Sequence, residues 1–248
     1  MERETSQRAW YSQYYHRSGP ARNDLRRNPE VLFQALASEA SVVNALRVVQ
    51  HEPSVAKVLD VGCGSGGDVY QLVRLGYDPA KITGIEIQQE RIAVARSLYP
   101  QMEFIHADAT KMQFEDDTFD LVFESTMFAT LPDDHDRAAI ASEMVRVCKP
   151  EGFLVLIDWR TPKPGDRSYK ALSRRELQKI FAIGSRTKLI AVQRGALLPP
   201  IGRFLSKRAP GLYFICWSLF PFLVGQVVYV LTRKGQIGEA GVPDEANF

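Results

Sequence analysis

Val58-Leu59-Asp60-Val61-Gly62-Cys63-Gly64-Ser65-Gly66-Gly67 decides the fold. A short strand, apolar except for one carboxylate, runs into a loop in which four of six residues are glycine, and the helical pattern VYQLVRL follows. Glycine reaches backbone conformations closed to other residues and lets the main chain approach a ligand closely, so strand, glycine turn and helix together read as a nucleotide-type site. The glycines at 62, 64 and 67 also satisfy the G-x-G-x-x-G spacing of dinucleotide sites, which keeps NAD in consideration. Asp60 separates the alternatives. A carboxylate at the strand end beside the loop repels a pyrophosphate but suits a cofactor carrying an ammonium and a sulfonium. The next strand pattern, ITGIEI, brings Glu86 to a place where it can accept hydrogen bonds from two ribose hydroxyls, a group either cofactor needs.

Working outward, strand and helix patterns alternate: KVLDVG, VYQLVRL, ITGIEI, ERIAVARSL, MEFIHAD, FDLVFES, RAAIASEMVRVC and FLVLIDW. This rhythm predicts an α/β fold with a doubly wound, Rossmann-like, mostly parallel sheet covered on both faces. Upstream, VLFQALASEASVVNALRVV has helix spacing and forms an N-terminal helical arm, with Pro29 near a helix start. Downstream of Trp159 come the link TPKPGD, a helix through RRELQKIF and a strand from TKLIAVQR ending near Leu197-Leu198-Pro199-Pro200. Gly211 to Leu231 carries no charge and has about the length of a bilayer span. Pro221 and Gly225 interrupt it and VVYVL is β-branched, so a buried helix, a turn and a seventh, final strand are expected. The competing reading is peripheral membrane contact helped by Arg203, Lys207 and Arg208. The expected organisation is one domain over 1–248: an arm or lid (1–53), a cofactor-binding core (54–160), substrate-side helices and final strands (161–234), and a polar flexible tail (235–248).

Composition bounds the function. The 248 residues are 45% hydrophobic and 24% charged, as in a globular protein that buries a large core. Thirty-one basic against 29 acidic residues, a net charge of +2, create no strong field, and no nucleic-acid partner is expected. Cys63, Cys148 and Cys216 are scattered, with no C-x-x-C pair, and MERETSQRAW lacks the apolar run of a secretory signal. A reducing, cytoplasmic setting is expected, with membrane-peripheral placement as the variant of it.

Five stretches together carry a family resemblance: D-V-G-C-G-S-G at 60–66, G-I-E-I at 84–87, H-A-D-A at 106–109, F-D-L-V-F at 119–123 and K-P-E-G-F at 149–153. In order and spacing they resemble the successive motifs of class I S-adenosylmethionine-dependent methyltransferases, over about Lys57 to Trp159. The resemblance implies S-adenosylmethionine as cofactor and a seven-stranded sheet. It places Asp60, Gly62 and Gly64 at the methionine part, Glu86 and Ile87 at the ribose and adenine, Asp108 and Ala109 at the adenine amino group, and Phe123 and Glu124 beside the methionine moiety. In related enzymes an N-terminal helix closes over the cofactor. The cluster Tyr11, Tyr14 and Tyr15, with Arg22, could do so here, and Tyr14 is taken as its cofactor contact. A plain packing helix is the alternative.

The acceptor is less legible. Nucleobase amino methyltransferases of this fold carry Asp or Asn, then Pro-Pro and an aromatic, where this chain reads Glu124-Ser125-Thr126-Met127, and neither Cys63 nor Cys148 reads as a cytosine-type nucleophile. Ligands of open α/β sheets bind beyond the carboxyl ends of the strands, where Asp158, Trp159 and Arg160 leave the fifth strand. Asp158 is the candidate base or acceptor-orienting group and Arg160 the candidate anion clamp, against the alternative of a structural ion pair beside a structural tryptophan. None of the histidines, among them His106 and His135, reads as a base, and no metal is implied. DWRTPKPG, RRELQKIF and FPFLVGQVVYVL followed by Arg233-Lys234 are similar, more weakly, to tails of bacterial methyltransferases of cell-envelope polysaccharide synthesis. The expected function is O-methylation of a small-molecule, saccharide or lipid-linked glycan acceptor. A catalytically silent cofactor-binding scaffold and an NAD-dependent oxidoreductase are the alternatives.

Overall fold

All seven expected strands are present in the computed structural model, which describes residues 25, 28–162 and 169–233: β1 Val58–Val61, β2 Ile82–Glu86, β3 Glu103–His106, β4 Phe119–Ser125, β5 Cys148–Trp159, β6 Thr187–Arg194 and β7 Gln226–Arg233. Their order in the single sheet is β3-β2-β1-β4-β5-β7-β6. The first five pair in parallel, and β7 runs antiparallel between β5 and β6. Among the described residues seven α-helices accompany them: α1 Leu32–Leu46, α2 Gly67–Arg74, α3 Gln89–Leu98, α4 Asp134–Val147, α5 Arg174–Ile180, α6 Pro199–Arg208 and α7 Pro210–Leu219.

The strands are apolar on both faces because both faces are covered, as parallel sheets require. Successive side chains point to opposite sides. Thus Leu59, Val61, Leu154 and Leu156 join Ile140 and Met144 of α4 and Leu177 of α5, while Val58, Val155 and Ile157 join Ala45 of α1, Leu72 of α2 and Ile92 of α3. On β7 the same alternation sends Tyr229 and Leu231 to the first layer and Val228 and Val230 to the second. β1 lies between β2 and β4, so the chain's winding reverses there, and the crevice beyond the carboxyl ends of these strands is where such sheets bind ligands.

Two expectations need correction. The segment read as a strand running to Pro199-Pro200 turns into α6: proline at the first helical positions loses no hydrogen bond there, and Leu197 makes only an isolated bridge to Val224. The helix in Gly211–Leu231 is not a buried one. Of α7 only Tyr213 is buried, packed on Phe33 of α1 at 5.6 Å between ring centroids, with its hydroxyl accepting a bond from the Leu197 amide. Leu212, Phe214, Ile215 and Leu219 face outward. An apolar helix does not declare in its sequence how many of its sides will find a partner. Tyr11, Tyr14, Tyr15, Arg22 and the tail 235–248 lie outside the described residues.

Candidate functional site: an acidic cavity at the glycine loop

β1 ends at Val61, and the chain turns through Gly62, Gly64 and Gly66 with φ of +76°, +57° and +82°. The amides of Gly62 and Cys63 donate to the Ile85 carbonyl at 2.8 and 3.0 Å, which fastens this turn to the end of β2. A Cβ on Gly64 would stand 2.3 Å from Nη2 of Arg91, and one on Gly62 2.9 Å from Sδ of Met127. Handedness therefore demands glycine at these two positions, while the crowding is against the movable side chains of Arg91 and Met127.

A cavity opens beside the turn. It is lined by Gly62, by Ile85 to Ile87 at the end of β2, by Ala107 to Thr110 after β3, and by Met127, Thr130 to Asp133, Asp136 and Ile140 after β4. Of the residues expected to hold a cofactor, Gly62, Glu86, Ile87, Asp108 and Ala109 meet here, while Asp60 and Gly64 belong to the adjoining strand and loop. Glu86 is buried, with Oε1 accepting from the Gln88 amide at 3.0 Å and Oε2 3.8 Å from Nη1 of Arg91. Oδ1 of Asp108 accepts from both the amide and the hydroxyl of Thr110, at 2.9 and 2.7 Å, which sets the turn after β3. His106 bonds the Ile87 carbonyl at 2.9 Å. Four carboxylates line the cavity and, among the described residues, no lysine, arginine or histidine does. Such a lining favours a cation and opposes a pyrophosphate.

Asp60 is 1% exposed, and its Oδ2 has no hydrogen-bond partner among the described residues. Burial, reinforced by the charges of Asp68 and Glu86, pushes its carboxyl well above the usual range. A buried carboxylate without donors is costly unless a ligand supplies them.

The remaining expected residues are placed differently. The Phe123 side chain is fully buried in the layer shared with α1, α2 and α3, away from the cavity lining. Glu124, fully buried, accepts the amides of Met127 and Phe128 with Oε1 and leaves Oε2 unpartnered. Burial and the neighbouring Asp158 raise its pKa. Asp158 is also fully buried. Its Oδ2 accepts from the Ala129 amide at 2.9 Å and its Oδ1 from its neighbour Trp159 at 2.7 Å, so it holds the turn after β4. Arg160 donates to the carbonyls of Val224 and Pro221 at 2.8 and 2.7 Å, and neither Asp158 nor Arg160 lines the cavity.

Arg137 escaped sequence reading. It sits in α4 with no exposure at all, donating to the carbonyls of Phe128, Leu131, Lys170 and Ala171, with Nε 3.6 Å from Glu176. It thereby ties Phe128–Thr130, a turn of 3₁₀ helix, to the start of the segment leading into α5. Met127, Thr130, Asp133 and Asp136 were missed as well, because their only signal was position after the fourth strand. Asp133, His135 and Asp136 bring ligand atoms within 4.8 Å of one another, but Oδ1 of Asp133 already accepts the Asp136 amide as the cap of α4.

These features fit S-adenosylmethionine. An unpartnered buried carboxyl, a second carboxylate and a glycine turn open to the main chain are the group types that a cofactor with an ammonium and ribose hydroxyls requires. Comparison with known proteins agrees. The family described as a methyltransferase domain matches residues 58–152. The chloroplastic tocopherol O-methyltransferase of Arabidopsis thaliana is 34% identical over 137 residues, 53% of this chain and 38% of that protein. A phthiotriol/phenolphthiotriol dimycocerosates methyltransferase of Mycobacterium ulcerans is 30% identical over 171 residues, 63% of this chain and 60% of that one. The chain thus spans less than two thirds of the length of these curated relatives. Among solved structures, a protein from Pyrococcus horikoshii OT3 superposes with a TM-score of 0.62 at 18% identity over 90% of this chain and 99% of that one. A TehB-like methyltransferase from Corynebacterium glutamicum gives 0.55 at 18% identity over 90% and 96%, and both show the fold. Residues 58–152, which carry β1 to β4 and open β5, match a methyltransferase domain, and the relatives and the fold together support one of the class I, S-adenosylmethionine-dependent kind.

Proposed function

We propose that this protein methylates a hydroxyl group on a small apolar or lipid-linked acceptor, a lipid-linked saccharide included, with S-adenosylmethionine as donor. The observation that carries the reading is the buried, unpartnered Asp60 carboxylate beside a cavity whose charged lining is wholly acidic. Bound there, S-adenosylmethionine supplies an electrophilic methyl group on a cationic sulfur. Asp60 and Glu124 offer buried carboxyls that the donor's positive charge favours in their ionised form, Gly62 and Gly64 admit the donor to the main chain, and Glu86, Ile87, Asp108 and Ala109 form the nucleoside side. Methyl transfer is a displacement in which positioning supplies much of the rate. Asp158 and Arg160 act by support: Asp158 fixes the turn bearing Met127 and Thr130, and Arg160 fastens the turn before β7. Thr130, Asp133 and Asp136, from the segment after β4, face the acceptor, and either carboxylate can take the hydroxyl proton. The named relatives support a lipid-like acceptor, since their names are those of tocopherol and phthiotriol dimycocerosate methyltransferases. The anionic lining disfavours nucleic acid. Cys63 and Cys148, both buried and unpaired, are compatible with the reducing cytoplasm.

Calorimetric titration with S-adenosylmethionine tests the cofactor. Binding is expected in the wild type and weakened at least about tenfold in Asp60→Ala, equivalent to the loss of one charge-assisted contact of ~1.4 kcal/mol or more. Equal affinity in both proteins, or preference for NAD, would remove the proposal. Binding without transfer of a labelled methyl group to a lipid extract would leave the silent scaffold.

A further inference from the structure

We infer that α6, α7 and the turn Pro221–Leu223 form a docking surface for an anionic phospholipid bilayer, from which the acceptor reaches the cavity. The surface is apolar and held from beneath. Leu197, Leu205, Tyr213 and Val224 make a small core under it, while Phe204, Leu219 and Phe222 stand 63%, 66% and 70% exposed on its outside, joined by Leu212, Ile215 and Phe220. Single exposed apolar residues are ordinary, but this many on adjoining turns mark an interaction site. Its charge decides the partner. From Leu177 to Gly238 the chain has no aspartate or glutamate and nine lysines and arginines. Three of these, Arg203, Lys207 and Arg208, lie on α6, and Glu30 pairs with Lys207 at 2.6 Å as the acidic neighbour from another segment. In an isologous dimer this basic rim would meet itself, whereas it complements acidic headgroups while the aromatic and leucine side chains enter the acyl boundary. No helix among the described residues is long and apolar enough to cross a membrane, so the contact lies in the interface plane.

Position links this surface to the site. Arg160, directly after β5, holds the Pro221 and Val224 carbonyls, and a Cβ on Gly225 would meet the Trp159 ring at 3.3 Å. The surface is therefore joined to the carboxyl edge of the sheet, the edge on which the cavity opens. A lipid acceptor leaving the bilayer at this point would do so on the same edge of the sheet as the cavity. This use of the surface rests on the proposed methyl transfer, but the docking itself does not.

The test is flotation of the full chain with vesicles of phosphatidylcholine alone and of phosphatidylcholine mixed with phosphatidylglycerol, with S-adenosylmethionine binding measured on the same samples. The wild type is expected to float with the mixed vesicles and less with neutral ones. Leu219→Glu/Phe222→Glu and the milder Leu219→Ser/Phe222→Ser should each lower the bound fraction at least about tenfold with cofactor binding unchanged, as expected for side chains withdrawn from an apolar phase. A wild type that stays unbound, or serine and glutamate variants that float like it, overturns the inference. So does a wild-type dimer that the variants convert to monomer, since a second copy would then be the partner. Flotation without cofactor binding keeps the docking surface and removes the methyl-transfer reading, and the reverse result does the opposite.

Discussion

Asp60 and Asp158 are both buried carboxylates on strands of one sheet, and their surroundings give them opposite roles. Asp158 has both oxygens filled by backbone amides, that of its neighbour Trp159 and that of Ala129 in the turn after β4, while Asp60 has an oxygen that no described group reaches. Burial lifts Asp158 from an ordinary 3.8 to about 7, with the Trp159 and Ala129 amides and Arg137 opposing the rise. Folding thus takes up a proton between these values, so this contribution to stability is full below the unfolded value and is lost as pH rises through the folded one. We expect thermal unfolding to shift downward between about pH 4 and 7, by about 2–4 °C for each kcal/mol lost. Asp158→Asn should be less stable at the low end and show a shallower pH slope; an unchanged slope would exclude Asp158 as the source. Asp60, Gly62, Gly64 and Glu86 were legible in the sequence because the motif states their chemistry within a few residues. Arg137 was not, because an arginine on an amphipathic helix ordinarily faces water. Only the folding of Phe128–Leu131 and Lys170–Ala171 onto it buries it.

At the scale of elements, the turn between β4 and α4 is what the buried charges serve. It begins with Thr126 in the left-handed region at φ +62°, its amide donating to Ile157 at 2.7 Å, and it continues over the amides held by Glu124 and Asp158 and the carbonyls held by Arg137. Removing Arg137 leaves these carbonyls and the facing carboxylates uncompensated. Arg137→Met should destabilise the protein by about 3–5 kcal/mol, read by denaturant unfolding, despite the similar apolar bulk of methionine. A loss under about 1 kcal/mol would mean that the turn holds itself without the guanidinium. The helices of the central sheet were readable from period and flanking turns. α6 and the orientation of α7 were not, because two consecutive prolines end a strand as readily as they start a helix. Likewise the apolar face of α7 is set by Phe33 and Leu197, from distant parts of the chain.

Over the whole molecule, strand alternation foretold a parallel sheet with helices on both sides. The place of β7 was not in the pattern. A strand's period fixes which residues face the core, but its neighbours depend on connections, and here the strand arriving last is inserted between β5 and β6. During synthesis β5 is complete more than sixty residues before Gln226 emerges, and β6 is also left without its only sheet neighbour. At ordinary elongation rates of about 5–20 residues per second, the growing chain carries an open, apolar β edge for roughly 3–13 s. Such an edge templates pairing with other chains. A chain stopped after Phe220 should therefore collect in the insoluble fraction even though its glycine loop is intact, whereas removing only residues 235–248 should leave it soluble; recovery of the shorter fragment in solution would show that the edge is shielded some other way. Lesions in the last strand would then be scored as low protein yield, not as low turnover, and refolding from denaturant, where every strand is available at once, would hide the defect that translation exposes.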